Sequence, residues 1–399
     1  MAKTRVLSQS KALYVTKTGT LYGDGTSPSG VEATQLHRIN SFSYEVDIAG
    51  ARQDIRVFGQ LARIGTVTTS DLTPTCSFGY LLTDGENEHH LGMEIEESIT
   101  GAAFQPAKQG ISGYLTESAD HNERNLFAVT VAEGEDAFAA GAWANRNQHD
   151  VVGFGNAFVT EYSVDMAVGD IPTANVSMEC GNIAFYTGKS SGLFNPSINP
   201  AVGTKADTGA VVLPVASTGD SAVDVLRDGQ ISLDLQDATN LGIGGAKLAE
   251  VHPQSISLSV PLAREALTEL GNDLPYSRPL TFPIDVTLSV NALTADMTEG
   301  QTAGLLTGCA GQVERLITVK LYDRCDPSIL RLGYALKAAV LDNISFSTDL
   351  DGAETVDMSF SAQIAGASNI EAGFFMTGDY LTSNASPLNP TLIGGMTSA

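Results

Sequence analysis

The chain has 399 residues, enough for two domains of ordinary size, and 46 acidic against 22 basic residues give it a net charge of −24. Such a surface repels phosphates, which excludes a protein that grasps DNA or RNA. The four cysteines lack metal-ligand spacing, and no apolar run could be a signal peptide or span a bilayer. We therefore expect a soluble protein made in a reducing compartment, with no metal, no cofactor and no membrane partner.

The first part of the chain alternates apolar and polar residues at the period of β-strands. This pattern predicts strands at Ser10–Val15, Phe42–Ile48, Cys76–Leu82 and Leu126–Val131. Arg52–Leu61 is predicted as a short helix, because Ile55 and Phe58 lie three apart and would share one face. Residues 102–124 are predicted to form a long exposed loop.

A hairpin is predicted over Phe158–Phe185, where two alternating runs flank Gly169 and Asp170. The same pattern recurs 182 positions later, from Ile344 to Ile364, with Asp351 and Gly352 at the turn. The two hairpins match in order and spacing. A chain with two copies of one closing hairpin indicates two copies of one domain.

The second half repeats the order of the first. Strands are predicted at Gln230–Leu235, Ile256–Leu262, Val286–Val290 and Leu316–Leu321, with a second short helix at Arg264–Gly271. The predicted division is a first domain with its N-terminal arm (1–187), a Pro/Gly-rich extended linker (188–225), a second domain (226–370) and a C-terminal segment (371–399). That last segment is interpreted either as a frayed end or as an arm that docks on a neighbour.

No catalytic, cofactor-binding or metal-ligating residue is predicted. Ser190 lies in a G-x-S-x-G pattern, but prolines follow where a nucleophile elbow must open a helix. His89 and His90 would point to opposite faces of a strand, so the surrounding acidic stretch is interpreted as a solvated turn. Cys76 and Cys180 fall on apolar strand faces and are predicted to be buried free thiols.

Three segments together carry a resemblance to a known family: Arg38–Leu61, the stretch 77–92 and Phe158–Phe185. They resemble the major tail tube proteins of long-tailed, siphovirus-type bacteriophages. The resemblance implies a mainly β fold of two tandem tail-tube-type β-sandwich or split-barrel domains, each with a short flanking helix. Most members of that family carry one such domain and form hexamers, whereas this chain carries two.

The resemblance implies a structural virion protein without enzymatic activity. Three chains would form one pseudo-hexameric ring, and rings would stack helically into the tube through which DNA leaves the capsid. The implied partners are further copies of the chain and other tail proteins (tail tip, tape measure and terminator), with DNA passing through unbound. The implied location is the virion tail, assembled in the cytoplasm of the bacterial host.

A duct for DNA should keep phosphates off its wall, and carboxylates that face the lumen would do so. Five acidic residues on the polar faces of predicted strands are candidates for the lumen: Glu45, Asp47, Asp165, Glu179 and Asp357. The alternative is that they belong to an ordinary solvated outer face.

Two other functions fit the same pattern of strands. A two-domain β-sandwich adhesin would recognise a cell-surface ligand through an exposed aromatic patch, although aromatic residues make up only 7% of the chain. A tail-tip or terminator ring protein could share the tube domain and bind another virion component. The sequence does not separate these from a main tube protein.

Overall fold

The computed structural model describes residues 11–17, 29–47, 52–68, 73–93, 95, 123–130, 149–187, 191–194, 196–199, 204–205, 210–213, 226, 231–237, 252–267, 269–270, 275, 277–293, 314–323, 326, 329–347, 355–364 and 372–379. Over these residues the fold is mainly β, as predicted. No helix among them has the length and apolar character needed to cross a membrane.

The elements follow one another in the chain as β1 (Lys11–Lys17), β2 (Ser29–Glu32), β3 (Thr34–Leu36), β4 (Ile39–Val46), β5 (Arg52–Ile55), β6 (Gly65–Thr68), β7 (Pro74–Leu81), α1 (Glu86–His90), β8 (Arg124–Thr130), β9 (Asp150–Ala167), β10 (Thr173–Glu179), β11 (Asn182–Thr187), β12 (Ser191–Phe194), β13 (Ile198–Asn199), β14 (Thr204–Lys205), β15 (Ala210–Val212), β16 (Ile231–Asp237), β17 (His252–Pro261), β18 (Asp285–Leu293), β19 (Arg315–Tyr322), β20 (Leu330–Ser347), β21 (Thr355–Gln363) and β22 (Gly373–Gly378).

The strands form two sets of the same topology. The first set has the order β4-β7-β10-β9, and the second has the matching order β17-β18-β21-β20. Because β9 pairs with β17, the eight strands make one continuous central sheet. Strands β9 and β20 are 18 residues long, and the first half of each pairs with a different group of strands: β8 and β11 for β9, and β19 and β22 for β20. Each set therefore bends from the central sheet into a second layer.

Apolar side chains from both layers form one large core. Alternate residues of the central strands point into it, as in β18, where the even-numbered positions from Val286 to Ala292 are buried. The predicted strands in both halves are present, including β8, which is buried over almost its whole length. Cys76 and Cys180 are buried free thiols, as predicted, with their sulfur atoms 3.8 Å apart. Cys309 and Cys325 lie outside the described residues.

The prediction of two short helices is wrong. Arg52–Ile55 is a strand that pairs with Gly65–Thr68, and the chain turns at Gly59, whose φ is 94°. Phe58 at this turn is fully exposed, so the apolar face of a helix would have no core to cover. In the second predicted helix, Arg264 and Leu267 instead form isolated bridges to Leu280 and Ser277, the described residues of that segment contain no helix, and Leu270 is fully exposed.

The interpretation of the acidic stretch after β7 as a solvated turn is also wrong. Residues Glu86–His90 form α1, and Asn87 and Glu88 in it are each only 2% exposed. The Asn87 side chain donates to the His37 carbonyl and accepts from the His37 amide, both at 2.9 Å, which fixes the helix to the segment before β4. Helix α1 therefore belongs to the core of the first set.

The segment between the two sets is partly structured. Ala210–Val212 pairs in parallel with Ser29–Glu32 and in antiparallel fashion with Ser191–Phe194, forming a three-stranded sheet. A strand thus begins at Ser191, where a nucleophile elbow would open a helix, and Ser190 itself lies outside the described residues. The predicted loop 102–124 also lies outside them, except for its last two residues.

The C-terminal segment begins with a strand of the second set. Gly373–Gly378 pairs with β20, and Phe374, Phe375 and Met376 in this strand are buried. These residues are therefore neither a frayed end nor an arm, and the residues after Asp379 lie outside the structure's description. Phe374 also stacks on Tyr334, with 6.0 Å between the ring centroids, which ties the strand into the second layer.

Candidate functional site

The face of the central sheet that points away from the core is polar, and its strands carry no Lys or Arg. Its eight strands are β4, β7, β10, the second half of β9, β17, β18, β21 and the second half of β20, and they contain no Lys or Arg. Ser, Thr, Asn and acidic residues alternate with the buried apolar residues along them. The face is therefore hydrophilic and negatively charged.

Four of the five predicted lumen carboxylates lie exposed on this polar face. Glu45 and Asp47 lie at the outer edge, in and just after β4, while Asp165 and Asp357 lie on interior strands. Glu161 and Asp285 are two further exposed carboxylates on the same strands that the sequence analysis did not single out. They occupy alternating polar positions, which is the signal that could have found them.

Neutral side chains hold the interior carboxylates. The Ser257 hydroxyl donates to Asp165 at 2.8 Å, and the Asn291 amide donates to Asp357 at 2.5 Å. The Gln363 amide donates to Asp285 at 3.2 Å across the same sheet. These donors fix the positions of the carboxylates but leave their negative charge uncompensated.

Glu179, the fifth candidate, is paired with a cation. Its carboxylate forms a 2.6 Å ion pair with the guanidinium of Arg278, whose side chain is only 9% exposed. The guanidinium of Arg264 lies 4.7 Å from the centroid of the Phe158 ring, beside this pair. The segment after β17 thus docks on the first set through two arginines, and Glu179 neutralises one of them.

A buried hydrogen-bond network joins the two sets of strands. The hydroxyls of Tyr80 and Tyr162 both donate to Glu88, at 2.8 Å and 3.1 Å, and Tyr334 of the second set lies 3.0 Å from the Tyr162 hydroxyl. Burial raises the pKa of Glu88 above its ordinary value, although the tyrosine hydrogen bonds oppose this shift. The sequence offered one signal, namely tyrosines on apolar strand faces, whose hydroxyls need partners when buried.

Two histidines, His37 before β4 and His90 at the end of α1, lie beside a different carboxylate. Glu86 lies 3.8 Å from His37 and 3.7 Å from His90. Burial alone would raise the pKa of Glu86, but its hydrogen bond to His90 and the nearby charges lower it below its ordinary value. Burial lowers the pKa of His37. Within the described ranges, no group of three or more His, Cys, Asp or Glu side chains is arranged to hold a metal ion.

Among the described residues, no strand pairs with the outer side of β4 in the first set or of the second half of β20 in the second, so the central sheet has two open edges there. Both edges expose large apolar side chains: Tyr44 is 44% exposed and Phe346 is 45% exposed. A third exposed side chain, Phe185, is 66% exposed on β11 in the second layer of the first set. Open edges of this kind are available for pairing with another strand.

No protein-family model matches the chain, and no curated protein matches it. Among solved structures, it is similar to a chain of the baseplate of the anti-feeding prophage, determined by cryo-EM with sixfold symmetrisation. The identity is 9% and the TM-score is 0.28, over 41% of this chain and 98% of the baseplate chain. A likeness at this level bears on neither the fold nor the function.

Proposed function

We propose that this chain is a structural virion protein that forms the rings of a phage tail tube, with three chains in each pseudo-hexameric ring. The observation that carries the proposal is the continuous central sheet, which is open at both edges and has one polar face without Lys or Arg. The resemblance of the sequence to tail tube proteins supports the same assignment.

The strand arrangement supports a ring. Two sets of the same topology follow each other head to tail across β9 and β17, and over the described residues the strand at each end of the sheet has one side without a neighbour. A head-to-tail contact repeats until it closes or runs on as a filament. Three chains would supply 24 central strands, and at about 4.8 Å per strand these would close a barrel roughly 40–50 Å across, depending on strand tilt. Such a barrel is wider than a DNA duplex.

The charge of the polar face supports a conduit. DNA binds proteins largely by exchanging counterions for Lys and Arg, and the eight central strands offer neither residue. Carboxylates such as Asp165 and Asp357 on the lumen wall would repel the phosphates of a passing duplex. The DNA would therefore slide through without specific binding, as a conduit requires.

In this function the chain needs no cofactor and catalyses no reaction. Its partners would be further copies of itself, within and between rings, and the tail tip, tape measure and terminator proteins. It would act in the virion tail after assembly in the host cytoplasm.

Negative-stain electron microscopy of the purified chain tests the proposal, with class averages viewed down the particle axis. We expect hollow rings or tubes whose sixfold outline resolves into threefold symmetry. Rings that never stack, even at high concentration, would instead favour a terminator or tail-tip ring. Chains that remain monomeric at high concentration and after addition of a tail-tip complex would overturn the proposal.

A further inference from the structure

The two open edges of the central sheet correspond, residue by residue, to the two strands that already pair inside the chain. Strand β4 corresponds to β17, because each has a bulge at the same place in its pairing, just before Ser41 and just before Ser255. Strand β20 corresponds to β9 in the same way. Strand β20 has a bulge opposite β21 just before Asn343, and β9 has a bulge opposite β10 just before Glu161. Residues at the same distance from the bulge in two corresponding strands are then counterparts of each other.

Side chains that are exposed at the open edges have buried counterparts at the inner junction. Tyr44 is 44% exposed, whereas its counterpart Leu258 is 1% exposed. Phe346 is 45% exposed, whereas its counterpart Val164 is fully buried. Leu258 and Val164 lie opposite each other where β17 pairs with β9. The inner junction thus shows what would cover the two exposed rings.

The second layer repeats this contrast. Phe185 lies opposite Val152, and Met376 lies opposite Tyr334 at the corresponding position of the second set. Phe185 is 66% exposed, whereas Met376 is 1% exposed. At the two central positions the residue at the inner junction is therefore buried and its counterpart at an open edge is exposed, and in the second layer the first-set residue is exposed and its second-set counterpart is buried.

We propose that a second copy of this chain covers these positions by pairing its β20 antiparallel to β4, in the register of the inner junction. In that register Tyr44 lies opposite Phe346 of the second copy, and Glu45 lies opposite Ser345 of the second copy. The proposal rests on the proposed function, because a subunit that did not assemble would have no such junction. It adds the pairing strands, their direction and their register.

This outer junction differs chemically from the inner one. The inner junction contains the hydroxyl network of Tyr80, Tyr162 and Tyr334 around Glu88. Counting from the same bulges, the outer junction has Ala292, Ile344 and Val152 at the three tyrosine positions. The residues described at these positions therefore supply no tyrosine hydroxyl to such a network. Inner and outer junctions then alternate around the ring, which makes its true symmetry threefold.

Disulfide trapping tests the register. The variant Glu45→Cys/Ser345→Cys places two cysteines opposite each other across the proposed outer junction. The matched control is Ser163→Cys/Ser259→Cys, which occupies the corresponding positions of the inner junction, where the two residues are paired. Under mild oxidation we expect covalent multimers from the first variant and an intrachain disulfide in a monomeric band from the control. The variant Glu45→Cys/Ser347→Cys, shifted by two residues, should cross-link poorly because disulfide geometry is narrow.

A mixing experiment tests the head-to-tail direction. Tyr44→Lys blocks one edge of the chain and Phe346→Lys blocks the other, and each lies on the exposed surface, so both variants should fold. We expect each variant alone to be monomeric in sedimentation velocity, and a mixture to stop at a dimer, because only one intact junction can form.

The outcomes separate this proposal from the proposed function. One outcome would overturn the register but not the proposed ring. In it, the wild type forms rings and the inner control cross-links, but no cross-link forms between positions 45 and 345. Rings formed by Tyr44→Lys alone would overturn the use of β4. Wild-type chains that stay monomeric at high concentration and after addition of a tail-tip complex, with no cross-link in the Glu45→Cys/Ser345→Cys variant, would overturn both proposals.

Discussion

The hydroxyl oxygens of Tyr162 and Tyr334 lie 3.0 Å apart, although the residues are 172 positions apart in the chain. Tyr162 belongs to the first set of strands and Tyr334 to the second, and Glu88 accepts the hydrogen bond that Tyr162 donates. The two sets are thus joined by a specific buried contact in addition to the pairing of β9 with β17.

Removing the Tyr162 hydroxyl should destabilise the chain. Tyr162→Phe deletes one donor to Glu88 and the partner of Tyr334 while keeping the ring, so we expect a loss of about 1–3 kcal/mol in the free energy of unfolding. Urea denaturation at a fixed protein concentration measures it. The control Tyr44→Phe removes a hydroxyl at a half-exposed position and should change stability by less than about 0.5 kcal/mol. Equal effects of the two substitutions would contradict a stabilising network.

The carboxyl of Glu88 should make stability depend on pH in one direction. Burial raises its pKa above the ordinary value of 4.5, so in the window above that value the folded state holds a proton that the unfolded state releases. Stability from this group is therefore present at low pH and is lost as pH rises through the raised pKa. Besides the three tyrosines, Asp84 faces the group and raises its pKa further.

Comparing the wild type with Glu88→Gln isolates this effect. Glutamine keeps the shape but has no titrating proton, so the stability of the wild type relative to the variant should fall as pH rises from about 4 to about 8. The pH dependence of wild-type stability alone does not isolate Glu88, because the lowered pKa of Glu86 acts in the opposite direction. The stability that Glu86 contributes is lost as pH falls. A difference that stays constant over this range would show that Glu88 does not titrate there.

Gly155 should tolerate no side chain. A Cβ built on it would lie 2.2 Å from the Pro196 carbonyl oxygen and 2.7 Å from the Ser197 nitrogen, both backbone atoms that cannot move aside cheaply. We expect Gly155→Ala to cost about 1–3 kcal/mol, because the segment after β12 must shift off β9. The control is Gly65→Ala, whose added Cβ meets no described atom within 4 Å. Thermal unfolding of the two variants should separate them clearly.

The central strands could be predicted because each has one buried and one solvated face, which imposes a period of two on the sequence. The short helices could not. The spacing of Ile55 and Phe58 fits a helix face and equally fits a hairpin with Gly59 at its turn, and only the absence of a surface to cover decides between them. Helix α1 has five residues, too few to show any period.

The candidate site could be predicted in part for the same reason. Alternation alone identifies the polar positions of Glu45, Asp165 and Asp357. It does not reveal that Arg278 reaches Glu179, because that contact joins segments 99 positions apart. Nor does it show that β4 is an edge strand, since the order of strands in a sheet follows from tertiary packing.

Reversing the charge of the polar face should turn a DNA-repelling wall into a binding one. In Asp165→Lys/Asp285→Lys/Asp357→Lys, three exposed carboxylates of the cation-free strands become ammonium groups. We expect assembled particles to bind duplex DNA at low salt, with affinity falling steeply as salt rises, and phage carrying the variant to eject DNA more slowly. The control Asp150→Lys/Glu314→Lys reverses exposed charges outside the central sheet and should leave ejection unchanged. Unaltered ejection in both would place the polar face outside the lumen.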